Sequence, residues 1–151
     1  MTTLIPSNVS ELLCKSGVSP LVIKGKTVLP IVQGGMGVGV SAHSLAGAVA
    51  KAGGVGTISS IDLRRLHPDL MEQTQHLTPC SESRELINVA NIEALKREIT
   101  LAKEQSQGSG LIAVNVMKAV SEYAQYVKCS LENGADMIVV GAGLPLDLPD
   151  L

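Results

Sequence analysis

The chain has 151 residues, a formal net charge of -2 and 45% hydrophobic residues. That size fits one domain, and the near-neutral charge points to neither a nucleic-acid nor a membrane-surface partner. No run of about 18 apolar residues is present to span a bilayer, and the first ten residues lack the basic-then-apolar order of a secretory signal.

The only aromatic side chains are Tyr123 and Tyr126, so any core must be built from Val, Ile, Leu, Ala and Met. Cys14, Cys80 and Cys129 are odd in number and far apart, which is neither a zinc spacing nor a disulfide framework. Three inert thiols in a reducing, cytoplasmic compartment are expected.

In chain order, residues 9–16 read as a short helix. Residues 21–29 read as a hairpin turning at Lys24-Gly25-Lys26. Residues 29–33 then read as a strand and residues 41–52 as a helix, broken by Gly53-Gly54. Residues 55–59 form a second strand. A long polar connection covers 61–91, with Thr78, Pro79 and Ser81 interrupting periodicity. A helix at 92–105, a strand at 111–117, a helix at 121–132 and a strand at 137–140 complete the pattern. The helices are one-sided: Leu45, Val49 and Ala52 share a face, as do Leu95, Ile99 and Ala102.

Each strand is short and apolar throughout, the pattern of parallel strands buried on both faces by crossover helices. The fold class is α/β: the N-terminal half of a (β/α)8 barrel, with four parallel strands, flanking helices and a short hairpin in front. A complete barrel of this kind takes about 250 residues, and the chain stops at Leu151, after the fourth strand. Residues 1–151 are therefore expected to be a partial barrel domain, with residues 1–27 as its N-terminal segment and hairpin. The alternative is a small, complete four-strand α/β domain.

Three strand ends carry the residues of interest. The first strand ends in Gln33, whose amide offers both donors and an acceptor, followed by Gly34 and Gly35, which let backbone lie against a planar ligand. Taken alone, the glycines also fit a plain strand-to-helix turn. Asn115 sits among apolar residues of the third strand, where an amide is costly unless hydrogen-bonded; pairing with neighbouring backbone would satisfy it equally. Gly141 and Gly143 follow the fourth strand. All of these would meet on the carboxyl-terminal face of the sheet, where such folds bind ligands. Gly37-x-Gly39-x-x-Ala42, with Asp62 about 20 residues on, mimics a dinucleotide fingerprint. It begins too late, because the strand already ends at Gly34. His43, in a first helical turn, and His67 and His76, in the long connection, read as solvated surface histidines.

Pro30-Ile31-Val32-Gln33-Gly34-Gly35-Met36-Gly37, Leu45 to Ala50 and Gly53-Gly54-Val55-Gly56-Thr57-Ile58-Ser59 together resemble the opening of the nitronate monooxygenase (2-nitropropane dioxygenase-like) family. Ile112 to Met117 and Gly134 to Leu146 are similar to its third and fourth strands. The resemblance implies a TIM barrel holding FMN non-covalently. It places Gln33, Gly34, Gly35, Met36, Asn115, Gly141 and Ala142 against the cofactor, with Ser59 a weaker carry-over. It implies a flavoprotein that oxidises alkyl nitronates with dioxygen to a carbonyl compound and nitrite. The family's catalytic His and its FMN-phosphate loops lie beyond the fourth strand, so the resemblance assigns no catalytic residue up to Leu151. No metal is implied. Two other readings stand beside it. One is an FMN-dependent enoyl-acyl-carrier-protein reductase, which opens with a similar Gln-Gly-Gly-Met turn. The other is an inactive half-barrel that self-associates through exposed sheet edges.

Overall fold

The computed structural model describes residues 2–77 and 80–151. In chain order the elements are β1 (Thr2–Thr3), α1 (Ser7–Ser16), β2 (Leu21–Ile23), β3 (Lys26–Val28), α2 (His43–Lys51), β4 (Val55–Ser59), a 3-10 turn (Leu63–Leu66), α3 (Pro68–Thr74), α4 (Ser81–Ser106), β5 (Leu111–Met117), α5 (Tyr123–Glu132), β6 (Met137–Gly141) and a final 3-10 turn (Leu148–Asp150).

β4, β5 and β6 pair in parallel in that order, with Ser59 opposite Asn115, Asn115 opposite Val139 and Met117 opposite Gly141. Of the four parallel strands expected, the first, residues 29–33, is not a full member of this sheet. It joins β4 through a single bridge, Val32 to Val55. The main-chain bonds Val55 N–H to Ile31 (2.9 Å) and Gln33 N–H to Val55 (2.9 Å) flank that bridge. The pairing stops because the chain turns away at Gly34, and the next β4 donor, Thr57 N–H, is taken by the Gln33 side chain instead (Oε1, 2.9 Å). β2 and β3 pair antiparallel across Lys24-Gly25, and β1 adds to β3 in parallel, an addition the sequence pattern did not reveal.

Alternation along the strands separates two packed layers. Ile58, Ile112, Val114 and Val116 pack under the helices with Ala46, Ala50, Leu95, Ile99 and Val127, all 1% exposed or less. On the opposite face Val55, Leu111 and Ala113 meet Val28 of β3, with Leu4, Ile23, Met137 and Val139 around them. Each such aliphatic side chain contributes about 1.5–3 kcal/mol on burial. The N-terminal strands thus close the lower half of this face and leave its carboxyl-terminal half uncovered. Helix α2 lies so close to β4 that a Cβ on Gly56 would stand 1.8 Å from the Ala46 carbonyl oxygen; only glycine allows that approach.

The long connection is mostly helical rather than irregular. Pro68 opens α3 at a position where its missing N–H costs nothing. α4 begins at Ser81, well before the expected residue 92, because Cys80 caps it: its sulfur accepts from Ser83 N–H at 3.5 Å. Leu86 and Val89 in these early turns are exposed, so they gave no one-sided pattern to read. Thr78 and Pro79 lie outside the described residues. α2 and α5 each start two residues later than expected, at His43 and Tyr123.

Two of the three histidines are not free surface groups. Glu98, 1% exposed, reaches the amino end of α2, where its Oε2 accepts from His43 N–H (2.6 Å) and meets His43 Nδ1 (2.8 Å). His67 Nε2 lies 3.1 Å from the other carboxylate oxygen, and the His67 side chain is 14% exposed. A carboxylate at a helix amino terminus is favoured by the dipole and by the unpaired N–H groups there. His76 is exposed.

Candidate functional site

The residues singled out in the sequence stand at the carboxyl-terminal ends of neighbouring parallel segments. Asn115 lies on the same face of β5 as Leu111 and Ala113, one step above that apolar layer. Its Nδ2 donates to the Val139 carbonyl at 3.3 Å, so the amide spans from β5 to β6. Gly35 rests directly on it: a Cβ there would stand 2.6 Å from Asn115 Cβ and 3.3 Å from Oδ1. The absent side chain of Gly35 thus makes room for Asn115 itself. Gly34 and Gly141 differ, since a Cβ at either meets nothing within 4 Å. Met36, two residues after Gly34, is 46% exposed.

Gln33 has a role its type did not reveal. Oε1 accepts from Thr57 N–H at 2.9 Å, and Nε2 donates to Ser41 Oγ (2.8 Å) and to the Gly34 carbonyl. Both amide donors are therefore held inside the protein. Ser41, fully buried, also accepts from Met36 N–H (2.9 Å), and its carbonyl accepts from Ser59 N–H (2.9 Å). Gln33 and Ser41 together staple the glycine-rich turn to β4. Sequence reasoning missed Ser41 because a serine at a helix start reads as an ordinary cap.

What the turn leaves open is main chain. Among the described residues, the N–H groups of Gly34 and Gly35 and the Oδ1 of Asn115 have no hydrogen-bond partner.

The loop after β6 is held from β5. Lys118 N–H donates to the Gly141 carbonyl (2.8 Å), and Lys118 Nζ reaches both Asp147 oxygens at 2.6 Å while lying 4.2 Å from the Tyr123 ring centroid. The Lys118 hydrogen bond holds the Asp147 carboxyl below its usual value. Between these anchors Ala142 adopts a left-handed φ of 56° and Gly143 a φ of 144°. A non-glycine residue in that region is a strained position of the kind found beside ligand sites. Ser59 is 3% exposed, under the Gly37 backbone.

Asp62 does not face a nucleotide. It pairs with Arg64 Nε (3.0 Å) and with Arg65, which removes the acidic partner that the dinucleotide fingerprint would need. Among the described residues no cluster of three or more His, Cys, Asp or Glu is arranged to hold a metal ion. No helix there is long and apolar enough to cross a membrane.

A parallel sheet covered by crossover helices, with glycines and an amide gathered at its strand ends, defines an α/β protein. A sequence profile of the nitronate monooxygenase family matches residues 19–149, and the chain belongs to that family. Its class is accordingly oxidoreductase. No curated protein and no solved structure matches it.

Proposed function

We propose that the chain supplies the flavin-facing half of an FMN-dependent nitronate monooxygenase, which oxidises alkyl nitronates with dioxygen to a carbonyl compound and nitrite. The observation that carries this reading is the open rim. Gly34 and Gly141, at the ends of the first and last parallel segments, both face empty space in a chain of this family. A flat heterocycle needs such an uncovered surface and main-chain donors beside it. FMN supplies the redox chemistry when bound, and the protein supplies position and polarity.

In this reading Gly34 and Gly35 N–H would donate to the heterocycle, stabilising negative charge that develops there. Asn115 would present Oδ1 to its edge. Met36 would cover one side of the ring, and Gly141 and Ala142 would line the other. Gln33 and Ser41 would fix the turn without touching substrate. The decisive experiment combines the protein, FMN and an alkyl nitronate. Bound yellow flavin supports the reading and its absence removes it; nitrite release adds the reaction itself. Oxidation of NAD(P)H driven by an enoyl thioester would assign the site to the reductase chemistry instead.

A second reading has one observation of its own. Ile31 and Val32 are 57% and 53% exposed, and among the described residues neither segment 29–33 nor β6 has a strand partner on its outer side. Free parallel edges recruit other strands, and in this reading the 151-residue polypeptide associates through them. Light scattering and calorimetry test it; a monomer that unfolds cooperatively contradicts it.

A further inference from the structure

Outboard of the rim, still on the carboxyl-terminal side of the sheet, a cavity of about 280 Å³ opens between α4 and the connection from β5 to α5. Its polar lining is Arg84, Asn88 and Asn91 from α4, Ser121 and Glu122 from the connection, and Tyr126 from α5. The size is just below that of pockets for drug-like ligands, so it suits a small molecule.

The chemistry of this lining is unbalanced in a specific way. Arg84 and Glu122 stand on different walls, and among the described residues neither side chain has an ion-pair partner. Asn88 is oriented by its Nδ2, which donates to Gln125 Oε1 at 2.6 Å, and this leaves Asn88 Oδ1 buried without a donor. Asn91 is buried, with Oδ1 fixed by Arg64 N–H at 3.2 Å and its amide turned to the Tyr126 hydroxyl. Burial pushes that hydroxyl up to about 12, so it stays protonated. The cavity therefore presents one cation, one anion and a neutral hydroxyl.

We infer that this cavity binds a small zwitterion of the amino-acid class. Its carboxylate lies on the Arg84 guanidinium, and its ammonium group lies on the Glu122 carboxylate. A ligand carrying only one charge would leave the other wall uncompensated. An opposite charge at each end satisfies both. This site is independent of the flavin reading, because none of its residues belongs to the rim.

The test is isothermal titration of the full chain with L-serine, acetate and ethylamine, with and without FMN. L-serine should bind at least about tenfold more tightly than either half-molecule, since each charged hydrogen bond carries a factor of that order. Arg84→Gln should weaken L-serine and acetate about tenfold while leaving ethylamine unchanged. Glu122→Gln should do the reverse. Both variants should keep the parent's unfolding midpoint. No L-serine binding at millimolar concentration, acetate binding as tightly as L-serine, or parental affinity in both variants would each overturn the assignment. Serine binding that is insensitive to FMN keeps it separate from the fate of the flavin proposal.

Discussion

Gly35 lies against Asn115 so closely that a methyl group on the glycine would stand 2.6 Å from the asparagine's own Cβ. Two distant strand ends are thereby fitted to each other before any ligand arrives. Gly35→Ala should destabilise the protein by about 1–3 kcal/mol through overpacking, with Gly35→Val costing more. Adding Asn115→Gly should recover most of the loss from Gly35→Ala. Urea unfolding of the two single variants and the double variant measures the coupling. Simple additivity would show that the two residues do not touch.

Gly34 separates ligand approach from packing. Its missing side chain points into open space, so Gly34→Val should leave the unfolding midpoint nearly unchanged while weakening FMN binding severalfold. Flavin fluorescence titration reads the affinity. Parental affinity in this variant would remove Gly34 from the proposed ring surface.

Gln33→Leu deprives Thr57 N–H of its acceptor and Ser41 of its donor. Leaving a buried main-chain donor unpaired costs about 1–3 kcal/mol, and the turn that holds Met36 should loosen. Loss of hydrogen-exchange protection at Thr57 and Ser59, with β5 unaffected, is the expected pattern.

Asp136 ties the lower end of the sheet together, through Lys103 (2.6 Å), Lys26 (3.1 Å) and Ile112 N–H (2.9 Å). Burial pushes its carboxyl up, but the Lys103 and Lys26 ammonium groups and the Ile112 donor outweigh it and hold the carboxyl below the usual carboxylate value. Above the unfolded value, about 3.9, the side chain is ionised in both states and its stabilisation is complete. As pH falls, the unfolded chain takes up the proton first, so stability declines and is lost through the lower, folded value. Unfolding free energies measured from pH 6 to 2 should show this decline, and Asp136→Asn should flatten it. An unchanged slope in the variant would exclude Asp136 as its source.

The cysteines should differ in reactivity. Burial raises the Cys129 thiol above its ordinary value, whereas Cys14 is exposed on the surface. Iodoacetamide should label Cys14 quickly and Cys129 only on unfolding, as resolved by peptide mass spectrometry. Rapid labelling of Cys129 in the folded protein would show that this side chain becomes accessible without unfolding.

The sequence by itself determined the parallel strands β4, β5 and β6, the helices α4 and α5 between them, and the family. Apolar runs, one-sided helices and glycine breaks are local properties, and they survive in a single chain of letters. Tertiary structure decided the rest. Gln33 carried an amide that looked available for a ligand, yet its donors and acceptor are taken by Ser41, Gly34 and Thr57, and only the folded turn brings those groups within reach. Gly35 and Asn115 are eighty residues apart in the chain and meet because a parallel sheet aligns their ends. His43 and His67 read as solvated until the buried Glu98 of α4 arrives between them. Residues 29–33 have the composition of a full strand, but pairing depends on where the partner's donors point, and a side chain took the place of the next rung. Such long-range hydrogen bonds leave no periodic trace in sequence, because each requires two segments whose proximity exists only after folding.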